Sequence, residues 1–435
     1  MKNNKLTLTV LLALTIAFAF PASGWSEDKT PALTGSCVEC HKEIHEQIVA
    51  DFREDIHNRV GISCEGCHGG NPKIADESSM DKKYGFVGKP KREETPQFCG
   101  KCHSDPVVMR PFNASLPTDQ VEKYWTSKHG TLLKQKDQKV AVCSSCHQAH
   151  GILPANDIRS SVYPSKVPKT CAACHANAEY MASYGIPTTQ FEQYTDSLNV
   201  HGYALFVKGD LGAPACNDCH GNHGAAPPGV KEVGQVCTQC HTMNGQLFRA
   251  SPHKDAFDAL GLPECATCHQ AQPDINKPTA RVHTIVKPTN DLVGTDDKAV
   301  CSQCHSQGDV GFETAALMRK NLDSLDHRLE KVQQTIERAE QQGMEVSDAR
   351  WKLKSEVLQA RMELRTSVHA FDRKVFDPAF EKADTSLEGI NRLGQEAQAE
   401  IRGRRTYYLV MTLLVTLLAI GLALKIRAIN RERSE

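Results

Sequence analysis

The chain has 435 residues, and its 51 Lys and Arg nearly balance its 52 Asp and Glu. Proteins that bind nucleic acid usually carry an excess of basic residues, so this balance argues against such a partner. Aromatic residues make up only 6% of the chain, beside 29 Gly and 21 Pro, which indicates much loop and little apolar surface for an ordinary core.

The N-terminus has the pattern of a secretory signal peptide. Two lysines precede an apolar run over 6–20, and small residues follow it. This order is typical of a leader that is cleaved, so residues 1–24 are predicted to be removed before Trp25. The alternative is that the segment remains as an uncleaved anchor.

Between residues 25 and 310 the chain repeats Cys-x-x-Cys-His nine times, and the nine copies use all 18 cysteines. Two thiols at this spacing can bond both vinyl groups of one porphyrin while the next histidine binds the iron, which predicts covalent haem c. The predicted attachment residues are Cys37, Cys40, Cys64, Cys67, Cys99, Cys102, Cys143, Cys146, Cys171, Cys174, Cys216, Cys219, Cys237, Cys240, Cys265, Cys268, Cys301 and Cys304. The predicted proximal ligands are His41, His68, His103, His147, His175, His220, His241, His269 and His305.

A zinc ribbon, a thioredoxin-like pair or a disulfide also uses paired cysteines. None of these requires a histidine after every second cysteine, and no cysteine is left over here. The sequence therefore predicts nine covalently bound haem c groups, with their iron, in a domain over 25–310. So few residues per haem cannot build a core, so porphyrin faces are expected to supply much of the buried apolar surface.

After the first motif, the other eight fall into four two-haem units. Each unit opens with a lone histidine, reaches its first motif after 7 to 15 residues and ends with a second motif. The opening histidines of units one to four are His57, His129, His201 and His253. In units two and three another histidine, His150 or His223, stands three residues after the first motif.

These extra histidines are predicted to be sixth ligands of the irons. His150 and His223 follow a proximal histidine too closely to reach the far side of the same haem, so each is expected to bind a neighbouring one. The sequence leaves open whether the opening histidines serve their own haem or a neighbour, because even seven residues extend roughly 23 Å. The predicted sixth ligands are His45, His57, His129, His150, His201, His223, His253, His283 and His369, while His327 is expected to be solvated.

From about residue 314 the chain is rich in Leu, Glu, Lys, Arg and Gln and lacks cysteine. Residues from Met318 to Ala339 form a heptad stripe, and a second helix is expected from about Val346 to Phe371. The pair Asp377-Pro378 is expected to end that helix, and a third helix follows it. Residues 311–405 are thus predicted to form a helical hairpin with a connector, which either packs against the haems or a partner or is a plain spacer.

A second apolar stretch predicts a transmembrane helix over 406–426 and a cytoplasmic tail over 427–435. Tyr407 to Ile426 has 20 residues with no charge before Lys425, about the length that crosses a hydrocarbon core of roughly 30 Å. A buried core helix is the alternative, which the flanking arginines disfavour. Because the N-terminus is exported, the haem domain is expected in the periplasm, held at the inner membrane by a single span.

The nine motifs, the opening histidines and the CHxxH variants resemble multihaem cytochromes c of the cytochrome c3 and NapC/octahaem superfamily. The resemblance covers about 37–305 and fits a mainly α fold with extensive loop, organised by haem ligation and followed by the helical hairpin and one transmembrane helix. The later helices, with His369 in TSVHAF, are similar to the C-terminal helices of cytochrome c nitrite reductases and hydroxylamine oxidoreductases. The chain lacks the CxxCK motif of the former, so their catalytic lysine cannot be placed. Its mature anchor also lies at the opposite end from that of NapC-type quinol dehydrogenases.

The favoured function is electron transport, in anaerobic respiration, from a quinol-oxidising membrane subunit to periplasmic cytochromes or other acceptors. Bis-histidine haems suit this role because they exchange one electron without exchanging a ligand. The alternative is an octahaem-type oxidoreductase, similar to hydroxylamine oxidoreductase or nitrite reductase, acting on small nitrogen or sulfur compounds at a five-coordinate haem. Such a haem is expected in unit one or four, which lack the third-position histidine. A third possibility is a structural subunit that docks other cytochromes through the helical hairpin.

Overall fold

The computed structural model describes residues 33–226, 235–277 and 281–433, so the predicted signal peptide lies outside the described residues. In the described part the chain forms helices and loops, with isolated antiparallel bridges at Asn199 with Val286 and Gln270 with Ile285 and no strand. This confirms the mainly α fold with extensive loop. The chain divides into two compact units, Met1–Thr170 and Cys171–Glu435.

The first unit consists of short helices joined by loops. Polar residues that accept backbone N–H groups start several of them, among them Asp55, Asp105 and Ser127. The α-helices are Ser36–Ile44, Glu46–Glu54, Ile56–Arg59, Cys64–His68, Thr95–His103, Pro106–Met109, Gln120–Thr126, Lys128–Lys134 and Cys143–His147, with 3-10 turns at Glu77–Met80, Lys82–Tyr84 and Arg92–Glu94. Helix Val167–His175 contains the boundary between the units.

The second unit begins with a similar set of short elements. Its α-helices before residue 310 are Ala178–Met181, Gln190–Thr195, Val200–Phe206, Cys216–His220, Cys237–Cys240, Thr242–Ala250, His253–Leu260 and Ala266–His269. Its 3-10 turns there are Ala182–Tyr184, Asn290–Leu292 and Cys301–Gln303.

Three long helical segments follow and form what we call the bundle. The first is Val310–Gln341, and the second is built from Ser347–Lys352, a π-helical turn at Leu353–Val357, Leu358–Ser367 and a 3-10 turn at Val368–Ala370. The third is the 60-residue helix Arg373–Glu432. All seven residues of the predicted heptad stripe are buried: Met318, Leu322, Leu325, Leu329, Val332, Ile336 and Ala339.

The third helix packs against both others, so the expected hairpin with connector is a three-helix bundle over this stretch. Phe376, Ala383, Leu387 and Ile390 of this helix are buried in the same core cluster as the stripe. Apolar residues at spacings of four and three form a stripe along each helix that must be buried against another surface. In the bundle each of the three helices provides that surface for the others.

The predicted break at Asp377-Pro378 is wrong. The second segment ends at Phe371, as expected, but the break is formed by the left-handed φ of 50° at that residue. Asp372 then starts the next helix by accepting the Lys374 N–H. Pro378 lies inside that helix, near its start. The loss of one backbone hydrogen bond there is outweighed by the long packed helix that continues beyond it.

Beyond Ile401 the third helix is exposed. It contains an 18-residue window with a mean hydropathy of 2.4, no part of which is buried. At 1.5 Å per residue the whole helix is about 90 Å long, so it has length for both a bundle helix and a bilayer crossing. By length and composition it is the candidate membrane-spanning helix of the described residues.

Candidate haem-binding sites

Six of the nine motifs lie wholly within α-helices. The seventh and eighth overlap the short helices Cys237–Cys240 and Ala266–His269, and the ninth begins with the 3-10 turn Cys301–Gln303. Residues three and four apart share one side of a helix, so the two thiols and the imidazole of a motif lie together. All 18 cysteines are free thiols in the structure. The residues present therefore fit covalent attachment of one porphyrin per motif.

Hydrogen bonds orient several of the proximal imidazoles. His68 Nδ1 lies 2.9 Å from the Gly88 carbonyl oxygen and His220 Nδ1 lies 3.3 Å from that of Ala226. A ring that donates from Nδ1 keeps the Nε2 lone pair for a metal. His305 is held in a comparable way by the Asp309 carboxylate at 3.2 Å.

Histidine rings meet in pairs at the spacing that one iron requires. Imidazole–metal bonds are about 2.0 Å and the ring centre lies about 1 Å farther, so rings on opposite sides of an iron have centres roughly 6 Å apart. The observed pairs and centre distances are His57–His103 at 6.0 Å, His68–His150 at 6.2 Å, His220–His283 at 6.0 Å, His253–His305 at 5.9 Å and His269–His369 at 6.1 Å. Each pair joins a motif histidine to a predicted sixth ligand.

The structure shows which motif three of the four opening histidines approach. His57 and His253 each meet the histidine of the second motif of their own unit. His201 follows the same rule, since His241 of its second motif is close enough to affect its pKa. The sequence left this choice open because it depends on how the intervening loop folds.

The motif histidines in the first motifs of units one, three and four are approached by histidines that come later in the chain. His150 approaches His68 of the preceding unit, as expected of a residue that cannot serve its own haem. His283 and His369 approach the first motifs of units three and four. His129 lies half-buried in helix Lys128–Lys134, and His223 lies half-buried after helix Cys216–His220.

The first motif differs from these pairs. His45 ends the helix that carries His41, and the two ring centres are 5.5 Å apart. The rings belong to residues four apart, which lie on one side of a helix rather than on opposite sides of a porphyrin. His327, the histidine expected to be solvated, is exposed on the first bundle helix.

Burial keeps many of the paired histidines in the form that binds metals. It lowers the pKa of His269 to about 4, helped by His369, and that of His283 to about 4, helped by His220. Burial also lowers the pKa of His150, His201, His253 and His369. These rings are therefore neutral at pH 7 and offer a lone pair.

The bundle supplies one of these histidines. His369 lies in the 3-10 turn at the end of the second bundle segment, where its Nδ1 is 3.0 Å from the Thr366 carbonyl oxygen. Phe371, the residue that caps this turn, packs against His253 with ring centres 4.0 Å apart. One turn of the bundle therefore contacts both histidine pairs of unit four.

Sequence reasoning missed the residues that position the opening histidines. A polar residue stands two places before each of them and accepts a backbone N–H at the start of that helix. These capping residues are Asp55, Ser127, Asn199 and Ser251. The signal was visible in the sequence as a Ser, Asn or Asp at a fixed offset from each opening histidine.

In units two and three a tyrosine also helps to position the opening histidine. The glycine after the opening histidine lies very close to the backbone carbonyl of a tyrosine. A Cβ added to Gly130 would be 2.1 Å from the Tyr124 carbonyl oxygen, and one added to Gly202 would be 1.9 Å from that of Tyr194. The same tyrosines donate their hydroxyls to the carbonyls of Ala141 and Pro214, two residues before the next motif. Each tyrosine therefore ties the histidine helix to the following motif.

Cysteines of successive motifs are neighbours within each compact unit. Burial raises the pKa of Cys64 to about 11, and Cys37 of the preceding motif adds to that. Side chains also contact directly between motifs, at Cys99 with Cys143, Cys171 with Cys216 and Cys237 with Cys265. The remaining neighbours are Cys67 with Cys102, Cys219 with Cys237 and Cys268 with Cys301.

This spatial order means that motifs one to four, and separately motifs five to nine, follow one another in chain order. Thiols this close would hold consecutive porphyrins next to each other. Residues 56–176, which contain units one and two, match the family model of cytochrome c3. The chain contains a cytochrome c3 domain.

Curated relatives of this cytochrome have several haems as well. The chain is 22% identical over 231 residues to the C-type polyheme cytochrome OmcC of Geobacter sulfurreducens, covering 48% of the chain and 26% of that protein. It is 24% identical over 163 residues to the C-type polyheme cytochrome OmcB of the same species, covering 32% and 19%. The chain thus spans about a quarter or less of these relatives, and no solved structure matches it. Together with its motifs, these matches make it a multihaem c-type cytochrome.

Proposed function

We propose that this cytochrome is an electron carrier with nine haem c groups and mostly bis-histidine irons. Haem iron, when bound, supplies reversible one-electron chemistry. The observation that carries the proposal is the succession of neighbouring motif cysteines, together with histidine pairs about 6 Å apart. Electron transfer is also what the resemblance to polyheme cytochromes suggests.

The chain's own residues would do three things in this role. Cysteines hold each porphyrin at a fixed distance from the next, which matters because electron tunnelling falls steeply with distance. Paired histidines such as His68 and His150 would both be ligands of one iron, which would favour one-electron exchange with little rearrangement of the protein. Caps and hydrogen bonds around those histidines keep the rings aligned.

The proposed setting is the outer face of the inner membrane. Residues 1–24 would be a removed signal peptide, 406–426 the single span and 427–435 a cytoplasmic tail. The exposed apolar window of the third bundle helix supports the span. A quinol-oxidising membrane subunit would be the donor and periplasmic cytochromes the acceptors, as in anaerobic respiration.

The enzyme alternative has one place in the structure where it is best tested. In units one and four each motif histidine has a second histidine ring about 6 Å away. The ring described beside His41 of the first motif is that of His45, which is only four residues later on the same side of the helix, with ring centres 5.5 Å apart. A high-spin haem lost on changing Cys37 and Cys40 to Ser would locate an open iron there.

Replacement of His150 by Ala tests the carrier proposal directly. We expect one low-spin ferric haem to become high-spin while all nine haems stay attached, because attachment depends on the Cys-x-x-Cys-His residues alone. Electron paramagnetic resonance and intact mass measure the two quantities. An unchanged low-spin signal would show that His150 is no ligand.

A further inference from the structure

One capping residue differs from the other three in its charge and in its contact with the histidine ring. Ser127, Asn199 and Ser251 are neutral and accept backbone N–H groups. Asp55 does this too, since its Oδ1 lies 2.8 Å from the His57 backbone N. The same oxygen is 2.8 Å from His57 Nδ1, so the carboxylate also holds the imidazole.

Asp55 is fully buried, with 0% of its side chain exposed. Its other oxygen accepts the backbone N–H of Ile152 at 2.8 Å, and Ile56 donates back to the Ile152 carbonyl at 2.8 Å. These contacts tie the start of the His57 helix to the loop just after His150. The carboxylate is therefore fixed in position by three hydrogen bonds and shielded from solvent.

A carboxylate on Nδ1–H makes the opposite ring nitrogen a stronger electron donor and orients the ring. At the iron, a stronger donor favours the ferric over the ferrous state, and a buried negative charge acts in the same direction with little screening. His57 faces His103 with ring centres 6.0 Å apart, which places this effect on the haem of Cys99 and Cys102.

We propose that Asp55 is a positioning residue that holds His57 toward this iron and lowers the reduction potential of that one haem. The inference rests on the bis-histidine ligation proposed above. In units two to four the capping residue is neutral. The corresponding pair of unit four has a carboxylate on its motif histidine instead, Asp309 at 3.2 Å from His305 Nδ1, but that side chain is 44% exposed whereas Asp55 is fully buried.

The test uses the full-length protein with its haems and the substitution Asp55→Asn, which gives unit one the capping residue of unit three. In a potentiometric titration followed by absorbance we expect one haem component to shift to higher potential. Asp55→Glu keeps a carboxylate and should restore the potential at least in part. The matched control is Asp76→Asn, an exposed cap of the turn Glu77–Met80, which should shift nothing.

If Asp55→Asn does not assemble with nine haems, Asp55→Ser, which has the capping residue of units two and four, is titrated instead. A new high-spin haem in the Asn or Ser variant that is absent from the Glu variant would also support the positioning role. A neutral variant that titrates like the unmodified protein and keeps its low-spin signal would overturn the inference. That result leaves the carrier proposal standing, whereas high-spin signals in the unmodified protein would count against the carrier proposal itself.

Discussion

At the scale of single residues, function here depends on which histidines meet. His369 is the least expected of them, because it lies 64 residues after the last motif histidine and belongs to the bundle. Its ring lies 6.1 Å from that of His269, with the planes only 12° apart. The hydrogen bond from Nδ1 to Thr366 keeps the Nε2 lone pair as an acceptor, which the Asn244 amide nitrogen approaches to 3.4 Å.

We predict that His369→Ala converts one low-spin ferric haem to high-spin while the protein keeps all its haems. The reason is that the thioether bonds of Cys265 and Cys268 do not depend on the sixth ligand. The control is His327→Ala, which removes an exposed histidine from the same bundle. Equal spectra for both variants would rule out ligation by His369.

Gly202→Ala is predicted to destabilise the folded protein by about 1–3 kcal/mol, the usual cost of overpacking. Its Cβ would lie 1.9 Å from the Tyr194 carbonyl, so helix Val200–Phe206 and His201 with it must shift. Denaturant unfolding of the haem-loaded protein measures the change. Gly389→Ala meets nothing within 4 Å and should be neutral or slightly stabilising; a similar loss in both variants would contradict the explanation.

At the scale of elements, an ionic cluster fastens the loop before the ninth motif to the bundle. The Asp326 carboxylate accepts from Arg361 at 2.7 Å and from Arg365 at 2.8 Å, and Asn290 of the loop donates to it at 3.1 Å. Burial acts to raise the pKa of Asp326, but the two guanidinium groups outweigh it and the pKa is lowered.

Because the folded-state pKa lies below the unfolded one, this contribution to stability is present above about pH 4 and is lost as the pH falls further. We predict that Asp326→Asn lowers the free energy of unfolding at pH 7 by roughly 1–3 kcal/mol and removes that part of the acid dependence. Asp348→Asn, at an exposed pair with Lys352, should cost less than about 0.5 kcal/mol. Unfolding curves at pH 3 to 7 test both, and equal losses would contradict the role of Asp326.

Local sequence patterns predicted which bundle helices form, but they predicted less well where those helices end and which helices they contact. The heptad stripe from Met318 to Ala339 is buried as expected, because helical periodicity is a local property. The second bundle segment ends near Phe371 as expected, but the break is a left-handed turn there and not Asp377-Pro378. A proline near a helix start is tolerated, and the left-handed turn had no glycine to reveal it. The apolar stripe of the third helix requires a partner surface but does not specify which one, so its place in the bundle was not predicted.

For the haem-binding sites, too, the sequence predicted the local features and did not predict the long-range contacts. The proposed attachment residues follow from the motif alone. The list of predicted sixth ligands contains every histidine that the structure pairs with a motif histidine. Which histidine meets which motif did not follow, because His283 and His369 come from distant loops and helices. The buried contacts of Asp55 and Tyr194 likewise depend on chain segments that meet only in the fold.

At the scale of the whole molecule, the complete motifs and the use of every cysteine predict a count of nine haems. We predict that the intact mass of the denatured mature protein exceeds that of the polypeptide by nine haem masses. Changing both cysteines of one motif to Ser should remove one haem and destabilise the surrounding unit, since porphyrin is part of its core. A mass corresponding to eight or fewer haems in the unmodified protein would contradict the count.

Topology gives a second prediction at this scale. Protease added to spheroplasts should digest the haem region, whereas a tag placed after Glu435 should stay protected. Deletion of the residues after Arg405 should release a soluble cytochrome, because the exposed apolar window lies beyond that point. Digestion of the tag would reverse the orientation.

The most direct test of the carrier proposal is the electron paramagnetic resonance spectrum of the fully oxidised, unmodified protein with spin quantitation. Paired histidines about 6 Å apart predict low-spin ferric signals for most or all of the nine irons, with reduction beginning below the potentials of His/Met cytochromes c. A stoichiometric high-spin haem that binds nitrite, hydroxylamine or sulfite and turns it over would contradict this account and establish the enzyme in its place.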